Sequence, residues 1–129
     1  MFVSARVHHR RSLAGQQAER YALHYLQAQG LVWIQSNYRS IYGEIDLILQ
    51  DQQTLVFAEV RYRRNNHFML AAETVHATKQ RKILITARYF LTQHHTTCHT
   101  IRFDVITLVG RLDCAPEVTW IQSAFEDID

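Results

Sequence analysis

Two runs rich in β-branched and aromatic residues, separated by a short polar break, constrain the fold of this chain most. Residues Tyr42 to Leu49 and Leu55 to Arg63 flank Asp51-Gln52-Gln53-Thr54, a break of hairpin-loop length. The pattern predicts two antiparallel strands joined by a tight loop. Side chains alternate along a strand, so residues two apart share a face. If Gln50 lies opposite Leu55, Asp46 lies opposite Glu59. One face then carries Glu44, Asp46, Ile48, Leu55, Phe57, Glu59, Arg61 and Arg63. The other carries Ile45, Leu47, Leu49, Val56, Ala58, Val60 and Tyr62, a continuous apolar surface. Two carboxylates facing each other across a ladder repel. A hard divalent cation between them turns that cost into a binding site, since Mg²⁺ takes carboxylate oxygens and keeps several waters. The competing account is a solvated face whose acids are paired by Arg61 and Arg63.

The rest of the chain supplies the partners of this hairpin. From Leu13 to Gln29, apolar residues at Ala14, Ala18, Tyr21, Ala22, Tyr25 and Leu26 form one stripe at helical spacing, and Gly30 stops it. Glu19 lies on the flank of that stripe. Leu31 to Gln35 is expected to be a first strand, running into a polar turn at residues 37–40. Residues 64–67 read as a loop, and residues 68–75 are ambiguous. A second helix is expected over Ala77 to Gln93, with its cap near Thr78 and a buried face of Ile83, Leu84, Ala87, Phe90 and Leu91. Lys79 shares that face. Lys79, Arg81 and Lys82 crowd the first turn, where the helix dipole disfavours cations, a placement that suits contact with an anion. Snorkelling side chains on a surface helix account for it equally well. Ile101 to Val109 reads as another strand and Val118 to Ile121 as a last one.

At 129 residues the chain is sized for one domain, which the pattern places at 12–129 behind a basic arm at 1–11. No apolar run approaches the length of a membrane span, and the start lacks the apolar core of a signal peptide, so a cytoplasmic protein without membrane contact is expected. Cys98 and Cys114 are read as free thiols. The cluster His94-His95-Thr96-Thr97-Cys98-His99 lacks paired zinc spacing and is read as a polar loop. Charge is unevenly spread. Residues 1–111 hold all 14 Lys and Arg against 7 acids, and residues 112–129 hold 5 acids and no base. A basic body favours a phosphate-bearing partner.

The order helix, three strands, helix, strand, with Gly43-Glu44-Ile45-Asp46 and Phe57-Ala58-Glu59-Val60-Arg61-Tyr62-Arg63, resembles the YraN-type family of small bacterial proteins. That family falls in the restriction-endonuclease-like, PD-(D/E)XK nuclease superfamily, and the core is also similar to Holliday-junction resolvases. Gly15, Glu19, Ala22 and Leu26 match its first helix. Asn37 and Arg39 match the approach to its second motif, Lys79 its second helix, Arg102 to Ile106 its fourth strand, and Ala124-Phe125 its end. The resemblance implies an α/β fold with a restriction-endonuclease-like core, a mixed central β-sheet in α-β-β-β-α-β order flanked by helices.

It also implies a metal-dependent endonuclease or resolvase-like enzyme that hydrolyses phosphodiester bonds in DNA, in repair or recombination. Asp46 and Glu59 would hold Mg²⁺ or Mn²⁺, with Glu19 helping directly or through water. Arg61 and Lys79 complete the implied catalytic set. Arg39, Arg61, Arg63, Lys79, Arg81 and Lys82 would bind nucleic acid. Resolvase-like proteins often pair, which makes a homodimer the assembly to test. One departure matters. The family usually has lysine where this chain has Arg61, and arginine effectively cannot lose its proton. Either Lys79 supplies the missing amine, or the chain is a catalytically impaired nucleic-acid-binding module with a nuclease-like fold.

Overall fold

The structure, a computed structural model, describes residues 12–65 and 75–126. Helix α1 spans Leu13–Ala28, followed by β1 (Val32–Arg39), β2 (Glu44–Asp51) and β3 (Thr54–Arg63). Helix α2 (Ala77–Gln93), β4 (Thr100–Val109), a short 3₁₀ turn (Leu112–Cys114) and β5 (Glu117–Phe125) complete the chain. The five strands form one sheet in sequential order. β1, β2 and β3 pair antiparallel, β3 and β4 pair parallel, and β4 and β5 pair antiparallel. The parallel pair needs a crossover, and α2 provides it. This is the mixed α/β sheet that the resemblance implied, with the last strand expected around Val118 to Ile121 as its fifth.

Helix α1 starts where Ser12 caps it, its hydroxyl oxygen accepting from the Gly15 N–H at 2.9 Å. Ala18, Ala22 and Leu26 are its buried line. They pack on one face of the sheet against Leu47, Leu49, Val56, Ala58, Ile106 and Leu108. Helix α2 covers the opposite face. Its Ile83, Ala87 and Phe90 join Ile48, Leu55, Phe57, Phe103 and Val105. Phe57 stacks on Phe103 with ring centroids 5.5 Å apart and meets the edge of Phe90 at 5.9 Å. Strand β3 thus buries both of its faces from Leu55 to Glu59, as a central strand does.

Three expectations need correction. Strand β1 continues to Arg39 instead of ending at Gln35. The residues that read as a polar turn are held in the strand because Tyr38 is buried against Phe90 at 5.1 Å, and its hydroxyl donates to the Gln93 side chain at 2.6 Å. Strand β5 runs from Glu117 to Phe125, longer than expected. Asp104, fully buried in β4, fastens it by accepting from the Trp120 ring N–H at 2.9 Å and the Ser123 backbone N–H at 3.0 Å. Finally, Ile45 does not share a cluster with Leu47 and Leu49; it packs on the α2 side with Ile48 and Phe57. The alternation breaks at Asp46. Asn37 sits between the pairs Ser36–Leu47 and Tyr38–Ile45 and takes a left-handed backbone, φ 56°. Asparagine tolerates that conformation better than most residues. The basic arm at 1–11 and residues 66–74 lie outside the described residues.

Candidate metal and phosphate site

The β2–β3 ladder has the register expected of it, with Gln50 opposite Leu55 and Leu47 opposite Ala58. One step further, where Asp46 would face Glu59, a side chain enters the pairing. The Asp46 carboxylate accepts from the Val60 backbone N–H at 2.8 Å. Asp46 and Glu59 are both buried, at 9% and 4% exposure. They also contact each other. Burial first, and the Glu59 charge second, push the Asp46 carboxyl up from 3.8 to about 7, while the Val60 N–H pulls it down.

Helix α2 delivers the cations. Lys79 Nζ lies 2.7 Å from Glu59 Oε2, whereas Arg61 reaches the same oxygen only at 3.8 Å. Among the described residues, Arg61 Nε is buried with no hydrogen-bond partner. An unsatisfied buried donor costs about 1–3 kcal/mol, and an anion would satisfy it. The carboxyl pair, Lys79 and Lys82 line one cleft of about 420 Å³, together with Gly43, Glu44, His76 and Thr78. Gly43 is needed there: a Cβ on it would stand 3.2 Å from Lys82 Cβ. The strand therefore enters the sheet hard against the helix.

The other sequence candidates fall elsewhere. Glu19 is not in this cleft. It accepts from the Asn37 side-chain amide at 3.0 Å and lines a separate hollow of about 220 Å³ with Arg61 and Arg63. Arg39 pairs with Glu44 at 3.5 Å. Arg63 turns back to donate to the Tyr62 carbonyl at 2.8 Å. Arg81 is exposed on α2 and does not line the cleft. Sequence reasoning put Gly43 and Glu44 in the motif and Thr78 near the helix cap but assigned none of them, nor His76, to the site. Gly43 carried a signal, a lone glycine at the start of an apolar strand. The others are gathered only by the packing of α2.

Among the described residues, no group of three His, Cys, Asp or Glu is arranged to hold a metal ion. The acidic donor set is a pair. A pair still fits a hard divalent cation, because Mg²⁺ is commonly held by one or two carboxylates and otherwise by water and substrate phosphate. The geometry behind that fit is a pair of buried carboxyls in contact, whose mutual repulsion a divalent cation would relieve beyond what Lys79 does at Glu59. The His94–His99 segment forms no such group. No helix among the described residues is long and apolar enough to cross a membrane.

Comparison with known proteins places these residues in a family context. A family model described as uncharacterised protein family UPF0102 matches residues 18–108, which include every residue that lines the cleft. A UPF0102 protein of Vibrio parahaemolyticus is 46% identical over 115 residues, covering 88% of this chain and 92% of its own. One from Pseudomonas syringae pv. syringae is 45% identical over 118 residues, covering 90% of this chain and 95% of its own. One from Nitrosospira multiformis is 44% identical over 114 residues, covering 88% and 93%.

Proposed function

The chain belongs to the UPF0102 family, and from that premise we propose that it is a divalent-metal-dependent nuclease of the restriction-endonuclease-like superfamily, hydrolysing phosphodiester bonds in DNA. The observation that carries the reading is the cleft in which a buried carboxyl pair meets a lysine from a different element. Asp46 and Glu59 would hold Mg²⁺ or Mn²⁺. When bound, such a cation polarises a phosphate oxygen and acidifies an attacking water.

The chain's own residues supply the rest. The Val60 N–H fixes one Asp46 oxygen and so orients the carboxylate. Lys79 brings an amine to Glu59, the carboxylate beside which the superfamily's motif lysine would stand. It thereby occupies the role that Arg61 cannot fill, moving a proton near the reacting phosphate. Arg61 lines the neighbouring hollow with Glu19 and Arg63 and adds positive charge behind Glu59, 3.8 Å from its carboxylate. Lys82 lines the same cleft and adds to its positive field.

The test is cleavage of labelled single-stranded, duplex and branched DNA with Mg²⁺ or Mn²⁺. Asp46→Asn should abolish cutting. Lys79→Ala should lower it by roughly 10²–10⁴-fold, the span of a positioned acid–base group, while Arg61→Lys adds little. If neither the wild type nor Arg61→Lys cuts any structure with either metal, and both still bind, the chain is a nucleic-acid-binding module instead.

A further inference from the structure

The turn between β1 and β2 holds apolar groups in water with unusual firmness. Residues 40–43 close on themselves through the Ser40 N–H donating to the Gly43 carbonyl at 2.8 Å and the Tyr42 N–H donating to the Ser40 hydroxyl at 3.0 Å. Ser40 and Thr86 then join hydroxyl to hydroxyl at 2.9 Å, which fastens the turn to α2. Its tip nevertheless presents Ile41, 88% exposed, and Tyr42, 44% exposed. Tyr42 stacks on Tyr89 of α2 with centroids 5.7 Å apart and rings 27° from parallel. Tyr89 is itself 39% exposed. A turn free to move could fold these side chains inward; this one is fixed by both of its ends and by the helix.

The rim is continuous with the cleft. Gly43 and Glu44, which follow Tyr42 directly, line it, as does Lys82. Lys82, Thr86 and Tyr89 follow one another at helical spacing on one side of α2. Seven residues of helix separate Lys82 from Tyr89, about 10 Å. That is roughly the rise of three stacked nucleotides in one strand at ~3.4 Å each. A phosphate in the cleft therefore puts a base of the same strand, one to three nucleotides away, at the aromatic pair.

We infer that Tyr42 and Tyr89 form a stacking platform for an unpaired DNA base next to the phosphate held in the cleft, with Ile41 as the wedge that keeps it out of a duplex. The inference rests on the nuclease reading above and adds to it a preference for DNA with unpaired nucleotides beside the cut. Aromatic faces stack on any base, so the platform selects for unpairing and not for sequence. An aliphatic side chain held at a tip is the kind of group that wedges between base steps.

The test uses the full chain and two oligonucleotide probes of one sequence, in EDTA so that no cutting intervenes. One probe is fully duplex; the other carries a short unpaired stretch with a fluorescent aminopurine in it. Binding should quench the unpaired aminopurine. Tyr42→Ala and Tyr89→Ala should abolish the quench and weaken binding of that probe by about 5- to 100-fold, the range of one lost base stack. Binding of the duplex should stay within about twofold. Tyr42→Phe and Tyr89→Phe keep the rings and should retain the quench, which separates stacking from any role of the hydroxyls. The inference is overturned if the alanine variants bind both probes like wild type, or lose both equally. Loss of the quench in the phenylalanine variants overturns it as well. Cutting by the wild type with an indifferent rim removes this inference alone, as does no binding of either probe in EDTA; the nuclease reading falls with it only if the wild type also cuts neither probe with Mg²⁺ or Mn²⁺.

Discussion

Replacing Asp46 by asparagine should make the metal-free protein more stable at neutral and alkaline pH while removing its response to divalent cations. The folded-state carboxyl of Asp46 stands at about 7, against 3.8 for an ordinary aspartate. A carboxyl raised in this way contributes stability that is fully present below the unfolded value and lost as pH rises through the folded one. The loss therefore runs from about pH 4 to about pH 7 and is complete above pH 8. Three pH units at 1.36 kcal/mol each make it about 4 kcal/mol, as an order of magnitude. Asparagine mimics the protonated acid: its amide oxygen can still accept from the Val60 N–H, and its amide N–H can donate to Glu59. Wild type and Asp46→Asn should thus melt at similar temperatures at pH 4 in EDTA. At pH 8 the variant should melt higher by on the order of 10 °C, given the unfolding entropy of a chain this size. Saturating Mg²⁺ or Mn²⁺ should close most of that gap. It stabilises the wild type by about 2.7 kcal/mol at a hundredfold excess over Kd and leaves the variant unchanged. Thermal melts across pH 4–8, with chelator and with each metal, read all of this. A difference between the two proteins that does not change with pH would refute the argument that burial and Glu59 strain this carboxyl.

Three further outcomes are expected. Asp104 is buried and takes hydrogen bonds from Arg102, Trp120 and Ser123; Arg102 keeps its pair with Asp51, so Asp104→Ala should cost about 1–3 kcal/mol in urea unfolding for each of the Trp120 and Ser123 donors it leaves unpaired. Gly43→Ala would set a Cβ 3.2 Å from Lys82 Cβ, so it should destabilise by about 1–3 kcal/mol and weaken DNA binding by pushing the turn off α2. DNA affinity should fall steeply between low and moderate salt, because Lys79, Lys82 and Arg61 would displace counterions from phosphate; a flat salt profile in a binding titration would contradict phosphate contact.

Much of this molecule could be read before its structure. Helix α1 and helix α2 came from the 3.6-residue recurrence of Ala18, Ala22 and Leu26 and of Ile83, Ala87 and Phe90. The β2–β3 register came from loop length and apolar alternation, because a one-residue slip would have turned Ile48 and Phe57 into solvent. The longer β1 and β5 were not legible. Both depend on side chains finding distant partners, Tyr38 under Phe90 and Asp104 beneath Trp120 and Ser123. No local propensity records such pairings.

The sequence by itself determined the elements, the order of the first strands and the β2–β3 register that brings Asp46 near Glu59, because these follow from short-range periodicity and chain connectivity. Only the tertiary structure decided which cations join those acids. Lys79 lies twenty residues beyond Glu59 and on another element, so its 2.7 Å contact exists only through the crossover that lays α2 across the sheet. The same packing left Glu19 on the opposite face, bonded to Asn37, and set Tyr42 against Tyr89 at the rim of the cleft. Periodicity assigns a residue to a face of its own helix or strand; where two elements meet depends on how their buried faces interlock, and that is a property of the whole fold.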